Sequence, residues 1–558
     1  MGPLKRLLSV PLLAIVLAGA APASRSSVAR FDWFEYNGDD HLPRPRSGEY
    51  ANPILQGFYP DPSIVRVGSD YYLVNSTFGW FPGIPVWHSR DLVSWTQVGN
   101  AIDRPDQLNL GKLSISQQGV YAPDISWHPG RFYILNTCVG SGDNFVITAK
   151  NAAGPWSDPV FLPALNGGID PSLFFDEDGS AWIVNNGPPA EKPRYEGHRA
   201  IWIQQFDPKT LKTFGPRTVL VDAGVHPEQN PIWIEGPHIF KRAGVYYLIA
   251  AEGGTAENHS EVVFRSERMT GPYVPFAGNP ILTQRDLPKD RPRPITSTGH
   301  AEFVETPAGE WWAVFLGVRP YGDDQFNTGR ETFLMPVKWR DGWPYITSPG
   351  ERVPWTAKRP ALPPQPKPSV PNSGAFTVRD NFNGAGLLPH WMMMRNPDGK
   401  WWRIAGGALE LDARPVRLGD MGNPSLLARR QQHFNATATT RLSFAPTGDS
   451  EAGLVALQND DFWYFLAVGR EETKRVVRLR RRAGATEPQA GAILASAEVD
   501  ESSPVDLRIA ARGASYDFDW STDGKHWHEL LHGADGTVLS TKRAGGFVGA
   551  VFGLYAHQ

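Results

Sequence analysis

The sequence predicts an all-β protein in which a five-bladed β-propeller is followed by a β-sandwich. From about residue 52 to residue 346, short apolar runs are separated by Gly, Pro, Asn and Asp, and sustained helical periodicity is almost absent. One phrase recurs five times in this region, which indicates a repeat architecture. A proline-rich stretch then leads to a second region of alternating strands, so the chain of 558 residues is expected to form two domains.

The recurring phrase combines an acidic residue, most often beside a proline, with a short apolar strand, a turn and an aromatic-rich strand. Its copies begin at positions 61, 124, 170, 235 and 300, and this spacing suits four-stranded sheets with loops. Because the phrase opens each repeat, we expect its strand to be the innermost strand of each blade. The side chains that would surround one axis are Asp61, Asp170, Glu235 and His300. Taken singly, an acid-proline pair is also a common way to begin a turn.

Composition along the chain places the domain boundaries. Residues 1–23 contain a basic start, an apolar run and a small-residue cleavage sequence, which predict a signal peptide cleaved near Ala23 and export to the periplasm or the medium. Residues 24–50 are an N-terminal extension, and residues 51–353 are the propeller. Residues 354–374 are a proline-rich linker, which favours an extended spacer. Residues 375–558 are the sandwich.

The overall charge and the cysteine content argue against several classes of partner. With 55 Lys and Arg against 58 Asp and Glu, the net charge of −3 gives no electrostatic reason to expect nucleic acid or an anionic membrane. No apolar stretch reaches the ~20 residues of a membrane span, so the mature chain is expected to be soluble. Cys138 is the only cysteine, which excludes an intramolecular disulfide. A neutral substrate suits this charge balance better, and the oligomeric state stays open.

The acids of the repeats suit the hydrolysis of a glycosidic bond. This reaction needs one protonated carboxyl to give the leaving oxygen its proton, and a second carboxylate to activate water or to attack the sugar. Polar neighbours favour an ionised Asp61, whereas apolar neighbours raise the pKa of Glu235. Asp61 is therefore the predicted base and Glu235 the predicted acid. Asp170, on the same ring, can raise the pKa of Glu235 and hold sugar hydroxyls.

Several of these motifs together resemble glycoside hydrolase family 43, in particular its β-xylosidases and α-L-arabinofuranosidases. The matching segments are residues 52–64, 169–172, 234–239, 298–300 and 329–333. The resemblance implies a five-bladed propeller and hydrolysis with inversion at the anomeric carbon. It also implies that Asp61 is the general base, Asp170 the residue that adjusts the acid's pKa, and Glu235 the general acid. We expect no required cofactor.

The same resemblance implies residues that bind the sugar. His300 would lie under the sugar or beside a central metal ion, so a calcium ion near His300 is one expectation. Arg330 would reach the hydroxyls and the carboxylates, and its permanent charge would help to keep Asp61 ionised. Phe78 and Tyr121 match the aromatic walls of the sugar subsite, although many relatives carry Trp where Tyr121 stands. Without the resemblance, His300 reads equally well as a core histidine. For Arg330 the less favoured alternative is an ion-pair partner that closes a blade.

The C-terminal region resembles the concanavalin-like, jelly-roll sandwich that follows the propeller in the xylosidase branch. The similarity lies in residues 425–433, 451–454 and 547–550. In that branch a loop of the sandwich can close the mouth of the active site, and Phe547 is the candidate for this role here. A closed pocket suits the removal of terminal sugars. We therefore expect an exo-acting enzyme that releases xylose, arabinose or both from short oligosaccharides.

Three alternatives stay open. The enzyme can be an α-L-arabinofuranosidase or bifunctional, because terminal xylopyranose and arabinofuranose present similar hydroxyls to one pocket. The protein can be a non-catalytic carbohydrate-binding propeller, although the presence of all three acids argues against this. It can also be a retaining sucrose or fructan hydrolase, but the first repeat lacks the Trp-Asn-acid-Pro phrase of that group.

Overall fold

The computed structural model describes residue 2 and residues 27–165 and 167–558. The predicted signal peptide, residues 1–23, lies outside the described residues except for Gly2. The described part of the chain is nearly all β-structure. Its helical elements are α1 (Thr541–Ala544) and the 3₁₀ helices Pro163–Leu165, Pro227–Gln229 and Gly536–Leu539. Among these elements no helix is long and apolar enough to cross a membrane.

The N-terminal region begins with two strands that pair outside the repeats, β1 (Val28–Gly38) and β2 (Glu49–Ala51). The first repeat forms an antiparallel sheet, with a short strand between its second and third members: β3 (Ser63–Val67), β4 (Asp70–Val74), β5 (Trp80–Phe81), β6 (Gly83–Ser89) and β7 (Thr96–Ile102). The second repeat forms the next sheet: β8 (Gly119–Val120), β9 (Asp124–His128), β10 (Arg131–Val139), β11 (Asp143–Ala149) and β12 (Val160–Phe161).

Three further sheets follow in chain order. The third contains β13 (Ile169–Phe175), β14 (Ala181–Gly187), β15 (Ala200–Asp207) and β16 (Lys212–Asp222). The fourth contains β17 (Glu235–Arg242), β18 (Val245–Glu252), β19 (Ser260–Ser266), β20 (Val274–Pro275) and β21 (Leu282–Thr283). The fifth contains β22 (Thr296–Glu305), β23 (Trp311–Val318) and β24 (Arg330–Pro336). Next come a small hairpin, β25 (Lys338–Arg340) and β26 (Trp343–Tyr345), and β27 (Thr356–Lys358), which pairs with β2.

The first strand of each sheet lies against the first strands of its neighbours. Strand β9 contacts β3 and β13, and β17 contacts β13 and β22. Strand β22 also contacts β3, so the five strands meet in a circle. Apolar side chains fill the space between consecutive sheets, for example Ile84 with Ile134 and Ile64 with Val314. Because the first strands of the five sheets surround one axis, the residues that begin them converge.

The C-terminal region is a sandwich of two antiparallel sheets. The strands that follow the linker are β28 (Phe376–Asp380), β29 (Met393–Met394), β30 (Trp402–Ile404), β31 (Leu409–Asp412), β32 (Ser425–Arg430), β33 (Asn435–Ser443) and β34 (Glu451–Asn459). The remaining strands are β35 (Phe462–Glu471), β36 (Lys474–Ala483), β37 (Ala492–Glu498), β38 (Val505–Arg512), β39 (Ser515–Ser521), β40 (His528–Asp535) and β41 (Val551–His557). One sheet has the order β32-β41-β34-β35-β36-β37, and its inner face shares a core with the sheet that contains β33, β38 and β39.

Strand β1 connects the chain's start to the sandwich. The sequence assigns residues 24–50 only to an extension, whereas in the structure β1 lies between β31 and β33 and also pairs with β28. Its residues Phe31, Phe34 and Tyr36 are buried in the sandwich core. Strand β1 precedes the N-terminal sheets in the chain but pairs with strands of the C-terminal sandwich. The sandwich is therefore connected to both ends of the N-terminal region.

Candidate active site

The predicted site residues stand where the backbone leaves regular strand geometry. Asp61, Asp170 and His300 have φ values of 51°, 53° and 53°, in the left-handed region that costs a non-glycine residue about 1–3 kcal/mol. Asp170 and His300 lie at irregularities in the pairing of β13 and β22. An irregularity at the pairing of β17 includes Gly236, with φ 55°, directly after Glu235. Such bulges redirect side chains, and they are frequent next to active sites.

Asp61 is a buried carboxylate held in its ionised form. Its Oδ2 accepts a hydrogen bond of 2.6 Å from Ser76 Oγ, and its Oδ1 lies 3.1 Å from Arg330 Nη1. Burial alone would raise the pKa of Asp61, but Arg330, His300 and the Ser76 hydroxyl outweigh it and lower the pKa below its ordinary value. Asp61 is therefore a carboxylate at neutral pH.

Glu235 is buried as well, but its environment favours the protonated form. Burial is the main cause that raises the pKa of Glu235 to about 8, and the charge of Asp170 adds to it. His300 and Arg330 act in the opposite direction without cancelling these effects. Glu235 therefore carries its proton at neutral pH, whereas Asp61 does not.

Asp170 and His300 belong to the same buried group of charges. The Oδ2 atom of Asp170 accepts a hydrogen bond of 3.1 Å from the backbone N–H of Gly236, and it lies 3.8 Å from His300 Nε2. Burial lowers the pKa of His300, but Asp170, Asp61 and Glu235 raise it more, to about 9. A Cβ atom at Gly236 would lie 2.7 Å from His300 Nε2, so only glycine lets the imidazole approach this closely. The close contact with His300 therefore requires glycine at position 236, directly after Glu235.

Three aromatic rings form one wall beside these charges. The rings of Phe78 and Phe547 stack with centroids 5.8 Å apart, and Tyr121 meets them edge-on at 5.4 and 5.7 Å. The guanidinium of Arg330 lies 5.8 Å from the ring of Phe78 and 5.4 Å from that of Phe547. The structure therefore brings together all eight residues that the sequence selects, which are Asp61, Phe78, Tyr121, Asp170, Glu235, His300, Arg330 and Phe547.

Phe547 reaches this wall from the sandwich. Its backbone N–H donates a 2.8 Å hydrogen bond to the carbonyl of Ser116, on the loop before β8. A Cβ atom at Gly549 would lie 2.5 Å from the carbonyl carbon of Thr328, so the two backbones touch directly beside Arg330. Glycine at this position is required by the close approach. The loop before β41 thus closes one side of the site with a side chain from the other region.

Arg199 is a residue of the site that the sequence does not reveal. Arg199 directly precedes β15, and its Nε donates a 2.8 Å hydrogen bond to Asn186 Oδ1. Burial lowers the pKa of Arg199, while the charges of Asp170 and Glu235 raise it, so the guanidinium lies within electrostatic range of both acids. No motif surrounds Arg199, and the contact depends on the pairing of β14 with β15. A sequence signal for this role is therefore absent.

A second polar cluster is formed by Asp124, His238 and Glu302. It is the group with metal-binding geometry among the described residues, and its ligand atoms lie within 4.8 Å of one another. His238 Nδ1 is 3.4 Å from Glu302 Oε1 and 3.6 Å from Asp124 Oδ1. Burial lowers the pKa of His238, but the two acids raise it to about 10, so an imidazolium can balance them without an ion. His300, beside which the resemblance implies a calcium ion, is not in this group.

The chemistry of the site defines the class of protein. A protonated carboxyl and an ionised carboxylate in one buried pocket are what acid-base hydrolysis of a glycosidic bond requires. The permanently charged Arg330 stabilises the carboxylate, and the aromatic wall offers a flat apolar surface to a sugar ring. The fold and the site therefore describe a glycoside hydrolase.

Comparison with known proteins identifies the family. Residues 50–344 match the glycosyl hydrolases family 43, and residues 379–558 match the concanavalin A-like domain found at the C-terminus of β-xylosidases. The chain belongs to glycosyl hydrolase family 43.

Similar proteins cover almost the whole chain. A xylosidase/arabinosidase of Butyrivibrio fibrisolvens is 36% identical over 90% of this chain and 95% of its own length. A non-reducing end α-L-arabinofuranosidase of Bacteroides ovatus is 37% identical over 91% of both chains. The crystal structure of a family 43 enzyme of subfamily 12, retrieved from a capybara gut metagenome, superposes with a TM-score of 0.87 at 38% identity, covering 95% of this chain and 100% of that one.

Proposed function

We propose that this glycoside hydrolase releases terminal xylose or arabinose from short oligosaccharides, with inversion at the anomeric carbon. The observation that carries the proposal is the opposite protonation of two buried carboxyls, Glu235 and Asp61, in one pocket. The relatives named above act on xylosides, arabinosides or both, according to their names. They support a pentose in the terminal position and leave the choice between the two sugars to experiment.

In the proposed reaction, Glu235 gives its proton to the oxygen of the glycosidic bond as that bond breaks. Asp61 takes a proton from a water molecule, and the water oxygen forms the new bond to the anomeric carbon from the opposite face. Asp170 keeps Glu235 protonated through its negative charge, and its bond to Gly236 N–H fixes its own orientation. Arg330 keeps Asp61 ionised and donates to sugar hydroxyls.

We infer that the five sheets are the blades of a five-bladed propeller, with the site on its axis. The circle of contacts among the first strands supports this arrangement, as do the apolar cores between consecutive sheets. The loop that carries Phe547 narrows the mouth of the site from the sandwich side. A mouth closed on one side admits a chain end more readily than the middle of a chain, so the enzyme is proposed to be exo-acting.

Two further expectations remain proposals. We propose export through the N-terminal leader, and the N-terminal sequence of the mature protein recovered from the periplasm or the medium tests it, with cleavage near Ala23 expected. A calcium ion near His300 would need oxygen ligands, which the carboxylate of Asp170, 3.8 Å from His300 Nε2, would supply, and the imidazole would contribute only in its unprotonated form. A ligating histidine must be unprotonated, so bound calcium, measured by mass spectrometry after dialysis, should rise with pH. None of the steps above needs the ion.

The acid's role is tested by the leaving group. A poor leaving group needs a proton, and a good one does not. Glu235→Gln should therefore lower kcat on xylobiose or an arabinofuranosyl oligosaccharide by about 10³-fold, but affect a dinitrophenyl glycoside far less. Glu267→Gln, an exposed glutamate in a turn, is the matched control and should change neither substrate.

Equal losses on both substrates in folded Glu235→Gln would remove Glu235 from the acid's role. Proton NMR of the first sugar released tests inversion, because a product with retained configuration would contradict the role of Asp61 as a base. Binding of xylo-oligosaccharides without any turnover would favour the alternative of a carbohydrate-binding protein.

A further inference from the structure

A pair of exposed apolar side chains lies directly before the acid Glu235. Ile232 and Trp233 have 48% and 39% of their surface exposed, although the next residue, Ile234, is fully buried. Trp233 is one of the apolar neighbours from which the raised pKa of Glu235 is predicted, and in the structure it is partly exposed to solvent. Large apolar side chains exposed beside a catalytic group mark a surface that a ligand can cover.

The segment that carries these side chains is held on both sides. The backbone N–H of Trp233, a residue with φ 52°, donates a 2.9 Å hydrogen bond to the carbonyl of Gly197. The carbonyl of Ile232 accepts a 2.8 Å bond from the N–H of Gly253. Asn186 Nδ2 bonds the carbonyl of Ile234 at 2.7 Å. The indole is thus presented by a fixed backbone, not by a free loop.

Arg199 lies against this indole and within electrostatic range of Asp170 and Glu235. Its guanidinium carbon lies 5.0 Å from the centre of the Trp233 ring. The same guanidinium is tied to Asn186 Oδ1 through Nε and to the carbonyl of Gly167 through Nη2, at 2.8 and 3.1 Å. Stacking against Arg199 on one side orients the ring. Trp233 and Arg199 therefore form one rigid unit, and Trp233 is two residues before Glu235 in the chain.

The position of Trp233 and Arg199 beside Glu235 indicates which part of the substrate they bind. The acid must lie next to the oxygen that leaves, so the surface beside Glu235 faces the part of the substrate that departs. A pyranose ring has an apolar face that suits an indole and hydroxyls that suit a guanidinium. We propose that Trp233 and Arg199 form the subsite for the leaving group, and that this leaving group is a neutral sugar ring. The inference rests on the proposed glycosidase function and adds the residues that bind the part of the substrate that leaves with the glycosidic oxygen.

The experiment compares two leaving groups that both need a proton from the acid. One is a sugar ring and the other is methanol, which has no ring. The pair is xylobiose and methyl β-D-xylopyranoside, with an arabinofuranosyl xylobiose and methyl α-L-arabinofuranoside as the second pair. Trp233→Ala should lower kcat/KM on the disaccharide or trisaccharide by about tenfold or more, mainly through KM, because it removes the ring on which the leaving sugar stacks. On the methyl glycosides kcat/KM should change less than about threefold.

Two variants make the result specific. Trp233→Phe keeps an aromatic face and should restore most of the affinity for the oligosaccharide. Phe214→Ala removes another exposed aromatic side chain, on the strand β16, and should change neither class of substrate. Equal losses of Trp233→Ala on both members of a pair would show that Trp233 only positions Glu235, and would overturn the inference. If the unaltered enzyme hydrolyses neither pair, the proposed function itself fails.

Discussion

Two buried ion pairs meet at adjacent residues of β24, and they serve different purposes. Arg330 reaches Asp61 in the active site, with 3.1 Å between Nη1 and Oδ1. Glu331, the next residue, pairs with Arg319, with 2.8 Å between Oε1 and Nη2. Because successive side chains of a strand point to opposite faces, one strand can supply the catalytic pocket on one side and the contact with the sandwich on the other.

The two pairs differ in how completely their hydrogen-bonding atoms are used. Arg319 donates through Nη1 to Asp40, at 2.6 Å, through Nε to Glu331, and through Nη2 to Glu331 and to the carbonyl of Gln432. Arg330 has a buried Nε without a partner among the described residues. An unsatisfied buried donor costs about 1–3 kcal/mol, and a substrate hydroxyl can remove that cost. The complete pair therefore holds the two regions together, and the incomplete pair is prepared for a ligand.

The strongest test of this contrast is Asp61→Asn. The asparagine keeps the size of the side chain but cannot take a proton from water, so kcat should fall by about 10⁴-fold on good and poor leaving groups alike. Steady-state kinetics measures the loss, and circular dichroism checks the fold. Activity within tenfold of the unaltered enzyme would show that another group is the base.

Arg319→Met tests the complete pair. It leaves Glu331 and Asp40 buried without their partner, so the free energy of unfolding should fall by about 3–5 kcal/mol, while kcat of the folded enzyme stays nearly unchanged. Urea unfolding followed by fluorescence gives the change in stability. Adding Glu331→Gln to this variant should recover part of the loss, and a large drop in kcat with normal stability would contradict the assignment.

Arg330→Gln tests the incomplete pair and should lower kcat/KM by about 10²-fold. Removing the guanidinium raises the pKa of Asp61, because its positive charge is a main cause that keeps this pKa low. The base is then lost at a higher pH, so the acid limb of the pH profile should move upward. Arg90→Gln, which breaks the exposed pair of Arg90 with Asp70, is the matched control and should leave the profile in place. An unchanged acid limb in Arg330→Gln would separate Arg330 from the ionisation of Asp61.

The smallest expected effect concerns the alkaline limb. Glu235 has a pKa raised to about 8, so the proton it donates is present below that pH and is lost as the pH rises through it. For a poor leaving group, kcat/KM should therefore fall about tenfold per pH unit above about 8. Asp170→Asn removes a negative charge that raises this pKa and should shift the limb to lower pH. A limb that does not move in this variant would contradict the coupling between Asp170 and Glu235.

The three acids of the site can be predicted from the sequence because they occupy equivalent positions in the repeats. Asp61, Asp170 and Glu235 occur where a recurring phrase begins, and their neighbours already indicate different protonation. Phe547 was accessible only through the resemblance of the C-terminal region to a known sandwich. Arg199 carries no such signal, because its approach to the acids depends on the pairing of two strands and not on a local pattern.

The sequence by itself determined the all-β class, the five repeats and the assignment of Asp61 as the base and Glu235 as the acid. These depend on periodicity and on the identity of each residue and its neighbours. Only the tertiary structure decided that β1 belongs to the sandwich, that Phe547 stacks on Phe78, and that Glu235 holds its proton to about pH 8. Each of these depends on burial and on contacts between residues far apart in the chain. Such contacts form only when distant parts of the chain pack together, and no local pattern of residues encodes them.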